Sequence, residues 1–125
     1  MSLLLGLVMS LSLISLAKGQ SPSLNELSVK INKELPEIYD HATKLVGTTV
    51  QDKNFYFHFI LRASPEEYKW ALPKVKTQVL KTICSGKREK ELLLLHKANI
   101  IYRYESDKGQ SLGEFMITPS HCTKK

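Results

Sequence analysis

Apolar residues fall at intervals of three and four over the first ordered stretch of the chain, where Leu24, Leu27, Ile31 and Leu35 line one side of a helix. Ser23 and Glu26 have the spacing of a capping box at its start, and Pro36 ends it. From residue 37 to 50 the pattern changes to β-branched residues without helical periodicity, which predicts one strand. The polar group Gln51-Asp52-Lys53-Asn54 follows as a turn, and residues 55–61, Phe-Tyr-Phe-His-Phe-Ile-Leu, are the strongest strand signal in the chain. An antiparallel hairpin turning on Asp52 and Lys53 pairs residues whose numbers sum to about 105, which sets His58 opposite Gly47.

A second helix opens at Ser64-Pro65-Glu66-Glu67 on three agreeing signals: a Ser cap, Pro at the first helical position and Glu at the third. Tyr68, Leu72, Val75, Val79 and Ile83 then form a single apolar stripe. Pro73 predicts a kink or a break into two shorter helices. In a straight helix Trp70 would lie about 200° from Tyr68, on the polar side, whereas a kink would reset the phase and bury it. Ser85-Gly86 closes the helix. Leu92 to Leu95 are too continuous for one face, and residues 87–97 read as a short helical turn packed under the sheet. Residues 98–105 and 112–118 are strands joined by Ser106-Asp107-Lys108-Gly109. The order α-β-β-α-β-β specifies an α+β domain, most simply two helices on one face of a four-stranded antiparallel sheet.

Ahead of this domain, residues 3–16 form an apolar run without charge. About 14 residues make a helix of about 21 Å, short of the roughly 30 Å of a bilayer core. With small residues Ser15, Ala17 and Gly19 at peptidase spacing, residues 1–19 are expected to be a cleaved secretory signal, and residues 20–125 a single domain with no membrane span. The run lacks the usual leading Lys or Arg, and no Cys near the cleavage site suggests a lipid anchor. About 106 residues suffice for a hydrophobic core. They are too few for a TIM barrel or a two-domain dinucleotide enzyme, and too apolar for a disordered chain.

Charge is concentrated. After residue 20, seventeen basic residues stand against twelve acidic ones, leaving +5, and residues 74–97 alone carry that surplus: Lys74, Lys76, Lys81, Lys87, Arg88, Lys90 and Lys97 against Glu89 and Glu91. Such a segment can attract an anionic partner, or simply solvate a face and complement a helix dipole. An exposed Trp70 beside Lys74 would be a binding anchor.

The two cysteines, Cys84 and Cys122, form an even pair in an exported chain and invite a disulfide across about 39 residues. The alternative, a nucleophilic Cys with His121 or another His as base, lacks a defined base and orienter. His41, His58, His96 and His121 show no HExxH, HxH or CxxC spacing, so no metal is expected. His58, flanked by Phe57 and Phe59, reads as a hydrogen-bonded strand residue. Asp40 and Thr43 could present polar groups, Asp40 equally as a turn residue. No GxSxG, phosphate-cradling Gly loop or paired carboxylates occur, and no cofactor is expected.

Residues 35–45 (Leu-Pro-Glu-Ile-Tyr-Asp-His-Ala-Thr-Lys-Leu), the Tyr56-Phe57 strand, a helix ending in Cys84, and residues 102–122 with Tyr102, Tyr104, Asp107, Gly109, Phe115, Ile117-Thr118-Pro119 and Cys122 carry a family likeness. In these the chain resembles a group of short exported bacterial proteins of unassigned activity that end in YxYxDxxGxxxxxFxITPxxC. The resemblance implies export and the disulfide, and implies nothing about catalysis. Glu105-Ser106-Asp107 departs from that pattern by one extra residue. A cystatin-like fold lacks its QxVxG loop here, so protease inhibition is not supported.

Three functions follow. The first is a noncatalytic exported module, periplasmic or extracellular, binding an unknown protein or envelope component. The second is binding of an anionic lipid, polysaccharide or nucleic acid through residues 74–97, nucleic acid being the least expected. The third is a small enzyme in which His58 or His41 converges with Asp40 in a pocket.

Overall fold

The computed structural model describes residues 23–123, so the expected signal segment, residues 1–19, lies outside the described residues. Both long helices begin where their caps predict. Ser23 and Glu26 close a capping box on α1 (Leu24–Lys33), and Ser64 and Glu67 close another on α2 (Pro65–Thr82). In each, the serine hydroxyl accepts the third amide while the glutamate reaches back to the cap amide, satisfying two otherwise unpaired donors.

The sheet has five strands, β1 (Glu37–Asp40), β2 (Thr43–Gln51), β3 (Asn54–Leu61), β4 (Asn99–Ser106) and β5 (Ser111–Ile117), lying side by side in chain order. The expected four-stranded antiparallel sheet is corrected on two points. Residues 37–50 form two strands, because the chain reverses at His41 and Ala42, where an Asp40 carboxylate oxygen accepts the Ala42 amide at 2.8 Å and fixes the turn. The central pair β3–β4 is parallel, since α2 carries the chain back along the sheet before β4 begins. The fold remains α+β, with four α-helices among the described residues, of which α3 (Lys87–Lys90) and α4 (Ser120–Thr123) are single turns.

The β2–β3 register follows the predicted sum, with Gly47 opposite His58 and Thr48 opposite Phe57, until a bulge between Leu45 and Gly47 shifts it by one. Alternation then sorts the side chains. Phe55, Phe57 and Phe59 of β3 lie level with Ile100, Tyr102 and Tyr104 of β4 on one face, joined by Phe115 and Ile117 of β5. Their rings interlock, Phe59 lying 4.9 Å from Tyr102 and 5.1 Å from Tyr104. Onto this face pack Leu24, Leu27 and Ile31 of α1, the stripe Tyr68, Leu72, Val75 and Val79 of α2, and Leu92 and Leu93 from a π-helical turn (Glu91–Leu95) that continues α3. The opposite face, with Tyr56, His58, Arg103 and Met116, has no helix packed on it among the described residues.

Pro73 does not divide α2, which runs unbroken over 18 residues. Pro73 and Lys69, the residue whose carbonyl it leaves without an amide, are both exposed, so the break in the hydrogen-bond ladder falls on the solvent side of the helix.

Candidate functional site

Where α1 gives way to β1, a groove opens between the end of its apolar side and α3. Leu27, Ile31, Leu35 and Pro36 form the floor of an open groove of about 640 Å³, with Lys30, Glu34, Glu37, Lys87, Arg88 and Glu91 around it. Arg88 organises one wall. Its guanidinium pairs with Glu89 at 2.9 Å and Glu37 at 3.5 Å, donates to the Tyr39 hydroxyl at 3.3 Å, and lies 5.2 Å from the centre of the Phe57 ring. Burial, the largest single effect, would lower the Arg88 pKa, but Glu89, Tyr39 and Glu37 together outweigh it and the pKa rises. The Arg88 fork thus ties β1 to α3 and fixes the groove wall. A second opening of about 530 Å³ on the far side of α3 is lined by Ser85, Lys87, Lys90, Glu91, Leu94 and Leu95.

The basic segment is split by this arrangement. Lys74, Lys76 and Lys81 are exposed on α2, whereas Lys87 and Lys90 stand on α3 beside the two openings. Arg88 is neutralised by its carboxylates and is no part of a free basic face. Trp70 is 78% exposed on α2, because the unbroken helix keeps it opposite the apolar stripe.

The histidines scatter. His41 and Asp40 do line one shallow cavity of about 290 Å³ with Thr43, Lys44, Arg62 and Asp107, but His58 is not among them. Asp40 accepts the Ala42 amide, which lowers its pKa and makes it a weak base. His58 shares a hydrogen bond of 2.8 Å with the Thr49 hydroxyl and stacks on Tyr56. His121 Nε2 bonds the Leu80 carbonyl oxygen at 2.8 Å. Cys84 and Cys122 are joined as a disulfide with Cα atoms 5.5 Å apart, so neither presents a thiol. Among the described residues no three His, Cys, Asp or Glu side chains gather in the manner of a metal site.

Sequence reasoning missed the groove. Leu35 and Pro36 figured as the end of the first helix and, with Glu37 and Tyr39, in a family likeness, while Glu91 was counted only against the basic segment; neither these nor Glu34 were read as groove residues. The available signal was Leu35, the last apolar residue of the α1 stripe, which packs against the core yet stays partly exposed between the charged Glu34 and Glu37. The stacked Tyr56 and His58, with Arg103 lying 4.7 Å over Tyr56 and bonded to Glu114 at 2.7 Å, were also missed as a group.

No family model matches the chain, and no curated protein matches it either. Its fold does occur among solved structures. A Pseudomonas aeruginosa protein named as a "putative secreted protein" aligns at 22% identity over 79% of this chain and 92% of its own, with a TM-score of 0.65. The type 2 secretion pilotin EpsS of Vibrio vulnificus aligns at 13% identity over 82% and 90%, with a TM-score of 0.63. The type II secretion pilotin AspS of Vibrio cholerae aligns at 14% over 79% and 88%, with a TM-score of 0.60. At these identities the likeness establishes the α+β fold.

Proposed function

We propose that this chain is a small exported, noncatalytic interaction module that holds a segment of another protein in the groove between α1 and α3. The groove itself carries the reading. Its floor is aliphatic, its rim carries three basic and three acidic residues, and its wall is set by the Arg88 pairs. An amphipathic peptide would bury apolar side chains on Leu27, Ile31 and Leu35 and match its own charges to the rim, the general form of groove recognition. Sharing a fold with two secretion-system pilotins and a protein named for secretion supports both export and a protein partner. Residues 1–19 act in this reading as the cleaved leader.

The test places a photo-crosslinking residue at Glu34 and, for comparison, at Val46 on the sheet, in cells that make the exported protein. The groove probe should capture one protein that the sheet probe does not. Ile31→Glu, which puts a charge on the floor, should abolish that capture. Equal capture from both positions, or capture insensitive to Ile31→Glu, would rule the groove out.

A further inference from the structure

Beyond the groove, the outer face of α2 combines features that nothing in the fold uses. Trp70, Lys74, Thr77 and Lys81 follow one another at intervals of four, three and four, a line of about 16 Å along the helix. Lys69, Pro73 and Lys76 flank it, and every one of these residues is exposed. None of the four α2 lysines takes part in an ion pair among the described residues, since the pairs present there belong to Arg88 and Arg103. On the acidic side stand Glu66 and Glu67 at the first turn, of which Glu67 is engaged in the capping box. The inner stripe of α2 is fixed in the core from Tyr68 to Ile83, so the helix presents this face as a rigid convex ridge.

We propose that the outer face of α2 is a membrane-docking surface, in which Trp70 seats at the headgroup level of a bilayer and Lys69, Lys74, Lys76 and Lys81 hold anionic phospholipid headgroups around it. A convex ridge cannot enclose a small anion, which needs a concave site. It does match a broad, flat, negatively charged surface. An indole has an apolar body and a polar N–H, which suits it to the boundary between headgroups and chains, and lysines near an anionic surface each add roughly 1 kcal/mol of attraction. The lysine stems can lie along the boundary while their ammonium groups remain in water.

Trp70 is the single tryptophan of the chain, so its fluorescence reports the docking event directly. The protein as recovered after export is mixed with vesicles of phosphatidylglycerol and phosphatidylethanolamine, and separately with vesicles of phosphatidylcholine. The anionic vesicles should shift the emission to the blue and carry the protein in flotation, added salt should reverse both, and the neutral vesicles should do neither. Any uncleaved apolar leader would bind both vesicle types alike, so the difference between them reads α2. Lys74→Glu with Lys81→Glu should weaken partitioning by a factor on the order of twenty or more. Lys33→Glu with Lys44→Glu, an equal change in net charge away from α2, should leave it as in the parent, and Trp70→Ala should weaken flotation. Equal losses in the two double variants, binding to neutral vesicles as strong as to anionic ones, or no blue shift would each overturn the proposal. So would a blue shift of the same size with polyglutamate, which would assign the ridge to an acidic protein surface instead.

Discussion

Thr48 sits in β2 just past the point where β1 stops, so one edge of its backbone has lost its neighbouring strand. Asn32 of α1 replaces that strand: its Oδ1 accepts the Thr48 amide at 2.8 Å and its Nδ2 donates to the Thr48 carbonyl at 3.1 Å. Ser28 adds a hydrogen bond of 2.6 Å to the Thr48 hydroxyl, both residues being buried. Asn32→Ala should therefore destabilise the protein by about 1–3 kcal/mol, because it leaves the Thr48 amide without a partner and its carbonyl with the Ser28 hydroxyl alone, and urea unfolding will measure it. His58 supplies the pH dependence. Burial, assisted by Arg103, lowers its pKa below the reference 6.5. The unfolded chain then binds a proton more readily than the folded one, so the neutral ring's contribution is complete above about pH 6.5 and is lost as the pH falls through the lower folded value. The unfolding midpoint of the parent should thus fall more between about pH 7 and about pH 5 than that of His58→Gln. A slope unchanged by the substitution would show that other groups dominate this range.

Elements whose ends are written in local chemistry are legible in the order of residues alone. Ser23 with Glu26 and Ser64 with Glu67 mark helix starts because the cap is made by residues three apart, and the Asp52–Lys53 turn sets a register that holds until the bulge at Val46. What is not legible there is long-range. In residues 37–50 the local signal for two strands is slight, being the one side chain of Asp40, which accepts the Ala42 amide at the reversal and which reads equally as an edge residue. The parallel β3–β4 pairing depends on where α2 returns the chain, and the groove needs α1 and α3, more than 50 positions apart, to be seen together. The disulfide works at the same scale. It ties the end of α2 to α4, closing a separation of 38 residues between Cys84 and Cys122. Replacing both by serine should lower stability by roughly 3–4 kcal/mol on the chain-entropy account, read from chemical denaturation, with the secondary structure retained below the midpoint. A change of only a few tenths would mean that the C-terminal turn is held by packing and by the His121–Leu80 bond instead.

At the scale of the whole molecule, the two proposed surfaces differ in kind. The groove between α1 and α3 is concave and electrically balanced, whereas the α2 ridge is convex and basic, so one chain can grip a partner segment while resting on a charged surface. Both uses presuppose that the chain leaves the cytoplasm, and the disulfide connects that journey to the fold, because such bonds persist in oxidising compartments. Export and oxidation can be read together in one intact-mass measurement on protein produced from the full sequence in a bacterial host. The recovered species should lack about the first 17–19 residues and should also be two hydrogens lighter than its reduced composition, with no cysteine open to alkylation. Protein retained in the cytoplasm should keep its N-terminus and present both thiols. Full-length protein carrying an intact disulfide would separate the two events and remove the leader from the argument. A processed chain with free thiols would instead keep export and place the stability of the C-terminal turn on packing and the His121–Leu80 bond.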